Sequence, residues 1–150
     1  YVTYFTIGHS ATLLLGVMAD INVNAYIIDA IIGLSIVYKG FDNLGGFKKV
    51  FGTQPNTKAA VLVFGLFHGF GLATKLQDFK FDKEGLFTNL LGFNLGVEIG
   101  QFLALGLVLL ILTFWRQYPS YFKFSQITNI VLMAAGFLLF GYQLTGYFIS

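Results

Sequence analysis

Cysteine is absent from the chain. That excludes a disulfide, a thiolate metal site and a cysteine nucleophile, and by itself says nothing about compartment. Charge is scarce. Only 11% of the 150 residues are Asp, Glu, Lys or Arg, against about 25% in a typical soluble domain. The net charge of +2 is too mild, and the basic residues too scattered, for a nucleic-acid partner. Methionine occurs only as Met18 and Met133, so a soft thioether site for Cu⁺ is poorly served. No basic n-region or small-residue cleavage site precedes the first apolar stretch, so no signal peptide is read. The chain opens with Tyr inside apolar sequence, so an upstream segment is expected. No fixed-period repeat emerges. Gly69–Phe70–Gly71 is not a dinucleotide fingerprint, since no strand and phosphate-binding turn surround it.

What remains is apolar. Hydrophobic residues make up 56% of the chain, with 18 Phe and 18 Gly, and the mean hydropathy is +0.74. Glycine is commoner in membrane helices than in soluble ones. The predicted class is all-α: one integral-membrane bundle over residues 1–150, with about five membrane helices. The apolar runs place them at about 2–19, 23–41, 59–76, 86–114 and 127–148. Residues 42–57 form a loop with Lys48, Lys49 and the Gln54-Pro55-Asn56 breaker, and its apolar residues permit a short interfacial helix. Residues 77–84 are a charged loop. Trp115, Arg116 and Tyr118 form an interfacial belt before Pro119. Six basic residues fall on the side of the second and fourth loops and three on the other. By the positive-inside rule the C-terminus is outside.

The run at residues 85–115 is long enough to cross a bilayer, which takes about 20 residues, and its one ionisable side chain is Glu98. Asn94, Glu98 and Gln101 follow i, i+4, i+7 and line one face. Gly92, Gly96 and Gly100 line a nearly opposite face, which spacing reads as helix packing. His9 lies mid-run on the first helix beside Ser10. His68 lies on the third between Gly65 and Gly69, a second small-residue packing pair. A charged or polar side chain within a membrane must meet a partner or a wet cavity.

Two imidazoles and a carboxylate on three different helices suit a borderline divalent ion such as nickel, cobalt or zinc, with His9, His68 and Glu98 as ligands. Ser10, Asp29, Asn94 and Gln101 would support them. The bland alternative is that each His holds two helices in register, with Glu98 bonded to Gln101 or a His. Asp29 alone reads as a boundary acid satisfied at the interface. Three functional classes stay open: a metal permease, an intramembrane metal-dependent hydrolase using a metal-bound water, and a non-catalytic membrane subunit or scaffold. The bilayer is the expected partner in all three, with a partner subunit or a homo-oligomer compatible with the long apolar helices. No nucleophile–base pair is recognisable, so the enzyme reading is the weaker.

Three segments carry a family resemblance: FTIGHSATL at residues 5–13, FGLFHGFGLA at 64–73 and FNLGVEIGQ at 93–101. In order and spacing they resemble the HupE/UreJ family of bacterial membrane proteins. DAIIGLSIVYKGFDN, at residues 29–43, resembles that family's second helix. The resemblance implies a nickel or cobalt permease, or a hydrogenase or urease accessory protein, in the bacterial inner membrane. It implies that His9, His68 and Glu98 form the polar core. One departure is plain: the family's usual earlier helix, with a His- and Asp-rich motif, has no counterpart here.

Overall fold

The computed structural model describes residues 1–77 and 85–150. The charged segment expected at 77–84 lies, from Asp78 on, outside the described residues. Those described form six α-helices and no strand: α1 (Val2–Met18), α2 (Ala25–Asn43), α3 (Gly46–Phe51), α4 (Thr57–Gln77), α5 (Leu86–Trp115) and α6 (Ser120–Ile149). The all-α class is therefore observed. The chain divides into two compact units. The first comprises α1 to α4 with the part of α6 from Asn129 onward; the second comprises α5 and the first turns of α6.

Local sequence explains the helix limits. Asn24 caps α2, its Oδ1 accepting from the Ile27 amide at 3.3 Å, the usual Asx role at a helix start. Asn56 does the same for α4, accepting from the amides of Lys58 and Ala59. The short α3 is bounded by Gly45 and Gly52, at φ 72° and 71°, a left-handed conformation that glycine adopts without strain. It is the short helix that the apolar residues Leu44, Phe47, Val50 and Phe51 permit in this loop. Phe47 packs edge-on against Phe41 at 4.9 Å and tilted on Tyr38 at 4.8 Å.

Helices α4, α5 and α6 contain stretches long and apolar enough to cross a membrane, at Thr57–Gln77, Phe87–Trp115 and Ser120–Ile149. These are three of the five spans expected. α1 is apolar but has only 17 residues, about 26 Å of helix. α2 carries Asp29, Lys39 and Asp42, which lower its hydropathy.

In the first unit α1 and α4 run parallel at backbone contact. A side chain on Gly65 would strike the Phe5 carbonyl, and one on Gly69 the His9 carbonyl; Gly16 faces Ala73 further along. The Gly65/Gly69 pair thus lets α1 approach. Thr12 Oγ1 spans the contact, donating to Leu66 O at 2.8 Å. α2 runs the other way. Its Ile28 and Ile32 lie over Gly71 of α4, while Tyr38 stacks edge-on against Phe64. On its other side α2 is antiparallel to α6: Gly33 meets Gly136, Gly40 meets Met133, and Tyr26 meets Gly146. α1, α4 and this part of α6 therefore share one direction, with α2 reversed among them.

The charges of α2 are all engaged. Asp29, at one end, accepts from Lys75 Nζ of α4 at 3.1 and 3.0 Å and from Gln143 Nε2 of α6 at 3.5 Å. Asp42, at the other, accepts from Lys39 Nζ at 2.7 Å and from the Gln54 amide.

In the second unit the α5–α6 corner is aromatic. Trp115 meets the rings of Tyr121 and Phe124 and donates from Nε1 to Ser120 Oγ at 3.1 Å. Arg116 lies 5.6 Å over Tyr121 and donates to its hydroxyl. An interfacial belt places amphipathic rings in this way.

Candidate metal-ion site

His68 sits at the middle of α4, where an imidazole must find partners inside the bundle. Its Nδ1 is 2.7 Å from the Phe64 carbonyl one turn back. A carbonyl only accepts, so Nδ1 carries the proton. The Nε2 lone pair is left for an acceptor's role, the arrangement seen in metal-binding histidines whose second nitrogen is oriented by a carbonyl.

His9 of α1 approaches the same place. The Phe5 ring stacks on the His9 imidazole at 5.9 Å and meets His68 edge-on at 5.1 Å. One phenylalanine thus holds two histidines from two helices. The close α1–α4 approach permits this, because bulkier residues at Gly65 and Gly69 would push Phe5 and His9 away. His9 is buried and His68 half-buried. Ser10 is half-buried next to His9 on α1.

His68 also lines an open pocket of about 300 Å³ bordered by α1, α2, α4 and α6 within the first unit. Its walls are mainly apolar, with Phe5, Phe64 and Leu132 among them. The polar lining is His68 and Ser35 at the inner end, then Lys39, Asn43 and Asn129 toward the end where α2 gives way to α3. Ser35 Oγ donates to Ile32 O at 2.7 Å, and Asn43 Nδ2 donates to Asn129 Oδ1 at 2.9 Å across α2 and α6. Two neutral amides and a hydroxyl provide oxygens along the passage. Asp29 stands seven residues beyond His68, at the level of Lys75 (about 10 Å along the axis), and is committed there to Lys75 and Gln143.

In the second unit, the face of α5 expected to be polar is the covered one. Leu90 and Asn94 are buried, and Val97, Glu98, Gln101 and Leu105 are half-buried. Asn94 Nδ2 donates to Glu98 Oε1 at 3.4 Å, one turn apart. Gly92, Gly96 and Gly100 lie on the opposite, exposed face. A Cβ on any of them would find no heavy atom within 4 Å. The closely packed neighbour that their spacing predicts is absent among the described residues of this chain. Helix contacts are instead made at glycines of α1, α2, α4 and α6, among them Gly8, Gly33, Gly65, Gly69, Gly71 and Gly136.

Among the described residues, no three His, Asp or Glu side chains converge as a metal site within either unit. The structure brings His9 and His68 to one ring in the first unit, and Asn94 and Glu98 to one face in the second. Phe5, Lys39 and Asn129, which line the pocket beside His68, carry no mark of it in the sequence. Phe5 alone had an indirect signal, being one turn from His9. The others read as core, loop charge or span residues until α2 and α6 are placed side by side.

No curated protein and no solved structure matches the chain. The family model described as HupE / UreJ protein matches residues 1–150, the whole length. That family is linked to nickel or cobalt transport or to accessory roles. With its apolar helices and its whole-length match, this is a membrane protein of the HupE/UreJ family.

Proposed function

We propose that the chain carries a divalent transition-metal ion, nickel or cobalt, through the bacterial inner membrane, with the metal as its substrate. The observation that carries the reading is His68. Its Nδ1 is tied to the Phe64 carbonyl, its ring lines an open pocket between helices of the first unit, and Nε2 is the nitrogen left to meet an ion. His9 is the second imidazole. Glu98, on the half-buried face of α5 with Asn94 and Gln101, is the carboxylate, which would offset the charge of a dehydrating ion.

Five spans make the path. In support, α1 runs parallel to α4 from Phe5 at Gly65 to Gly16 at Ala73, so the shorter helix travels with one long enough to cross. α2 is antiparallel to α4 and to α6, and both of its acids are matched with cations or amides. Desolvated charges are tolerated when paired in this way. With five spans the C-terminus lies outside, the side that the loop charges indicate.

Binding must be weak enough for release, which suits a site built from few ligands and neutral oxygens. Cells expressing the protein should accumulate radioactive nickel or cobalt. His68→Ala or Glu98→Gln should reduce this at least tenfold, a loss of about 1.4 kcal/mol or more in the transport step. Unchanged accumulation in both variants at equal expression would sink the proposal.

A further inference from the structure

The pocket that His68 lines is larger than an ion needs, at about 300 Å³, and no carboxylate is among its lining residues. Its walls are Phe5, Ile36, Val61, Phe64 and Leu132, contributed by four helices. It is open, and Leu132 in its wall is exposed. In a membrane protein, an open apolar groove between helices meets hydrocarbon, where no water competes for it. Polarity is ordered along the groove. Ser35 and His68 lie at the inner end, and Lys39, Asn43 and Asn129 at the end where α2 gives way to α3. From Ser35 to Asn43 the groove follows about 12 Å of α2.

The charge at the α3 end is one-sided. Lys39 gives one N–H to Asp42 at 2.7 Å. An ammonium has three donors, and the Lys39 side chain is 46% exposed, so it can meet an anion from outside as well. Lys48 and Lys49 lie on α3, which Phe47 holds against Tyr38 and Phe41 near the end of α2. Lys58 lies in the first turn of α4, one turn before Val61 of the pocket wall, with its ammonium 5.9 Å over the Tyr4 ring. Residues 39–58 therefore hold four lysines against the single acid Asp42. Beside Lys48 and Lys49, the apolar Val50 and Phe51 are exposed, a mixture of basic and apolar residues that suits a membrane surface.

We propose that this pocket seats one anionic phospholipid of the bilayer. Its acyl chain lies along the walls of Phe64, Val61 and Leu132 toward Ser35 and His68. Its phosphate meets Lys39 at the α3 end, with Lys48, Lys49 and Lys58 supplying the surrounding positive field. Basic pockets between membrane helices recognise anionic headgroups in this way, and each lysine near the surface adds attraction. A zwitterionic lipid brings a cation of its own to a positive mouth and is disfavoured there. The loop charges place the same end on the cytoplasmic side. The inference needs only the membrane and this pocket; it does not rest on the metal-transport reading.

The test is native mass spectrometry of the purified chain in detergent, titrated with phosphatidylglycerol or with phosphatidylcholine of the same acyl chains. The wild type should retain one phosphatidylglycerol at least fivefold more tightly than phosphatidylcholine. Lys39→Gln should weaken phosphatidylglycerol about fivefold, the effect of one lysine near a membrane surface, and leave phosphatidylcholine unmoved. Leu132→Trp fills the groove and should lose the tightly held lipid. Leu138→Trp, on an exposed part of the same helix, should keep it. Equal affinity of the wild type for the two lipids overturns the inference. Wild-type retention by Leu132→Trp also overturns it, since the lysines would then gather lipid at the surface without a seat. If Lys39→Gln does not fold, the double variant Lys48→Gln/Lys49→Gln, at two exposed positions, reads the same effect, and undiminished preference for phosphatidylglycerol there counts against the proposal. Metal uptake is a separate readout, so loss of either reading leaves the other standing.

Discussion

Gly8 and Gly92 are both helical glycines in apolar sequence, and the structure separates them sharply. A Cβ on Gly8 would stand 2.5 Å from Leu62 O and 3.0 Å from Leu66 N, while one on Gly92 meets nothing within 4 Å. Ordinary contact begins at 3.4 Å, so Gly8→Ala is short of space by about 0.9 Å. Both obstructing atoms are backbone, and no rotamer change relieves them. α1 must move away from α4. The Thr12 hydrogen bond to Leu66 O, now 2.8 Å, would stretch to about 3.7 Å, beyond useful length. Overpacking of this kind costs about 1–3 kcal/mol, and an interhelical hydrogen bond in a membrane contributes about 0.6 kcal/mol. Against this, alanine is better than glycine in a helix by up to about 1 kcal/mol. The net expectation for Gly8→Ala is a loss of about 1–3 kcal/mol, and for Gly92→Ala no loss or a gain of up to about 1 kcal/mol. The assay is unfolding in mixed micelles by added SDS, followed by circular dichroism, with metal uptake in parallel. Uptake should fall in Gly8→Ala, because α1 carries Phe5 and His9 with it. Equal stability of the two variants would refute the packing argument and the α1–α4 contact it rests on.

Two more outcomes follow from the same bundle. Thr12→Val keeps shape and removes the hydroxyl that donates to Leu66 O; it should cost about 0.6–1.7 kcal/mol in the same unfolding assay. Lys75→Met leaves Asp29, whose side chain is 17% exposed, with Gln143 as its remaining partner; it should destabilise by about 1 kcal/mol, the modest value reflecting how exposed Lys75 is. Adding Asp29→Asn should recover most of that loss in a double-mutant cycle, and a loss that persists would show that Lys75 acts through packing.

The polar stripe of α5 was legible because a helix repeats every 3.6 residues and Asn94, Glu98 and Gln101 follow that repeat. They fall on the covered face as spacing requires. The glycine stripe opposite was just as regular, and a side chain on it would meet no heavy atom within 4 Å, since small residues permit close approach without supplying the neighbour. The helix contacts formed where two small surfaces met: Gly65 and Gly69 against Phe5 and His9, Gly33 against Gly136. Such matches join residues tens of positions apart, and no local pattern encodes them. Lys39 and Asp42 show the same limit. In the chain they are loop-end charges; with Gln54 brought back against the end of α2 they become a buried acid with two partners.

By itself, then, the sequence determined the class, the helices and the membrane, because apolar run length and scarcity of charge depend on composition alone. It also singled out His9, His68 and Glu98, because an ionisable group in an apolar run is costly wherever the helix goes. Tertiary structure decided which nitrogen of His68 remains for a ligand, which ring His9 shares with it, and which residues of α2 and α6 line the pocket beside it. Those depend on helix direction and register, with α1 and α4 parallel and α2 reversed between α4 and α6. That arrangement is set by glycine contacts, the Thr12–Leu66 hydrogen bond and the Asp29–Lys75 pair between distant segments, whose energies exist only once the helices have met.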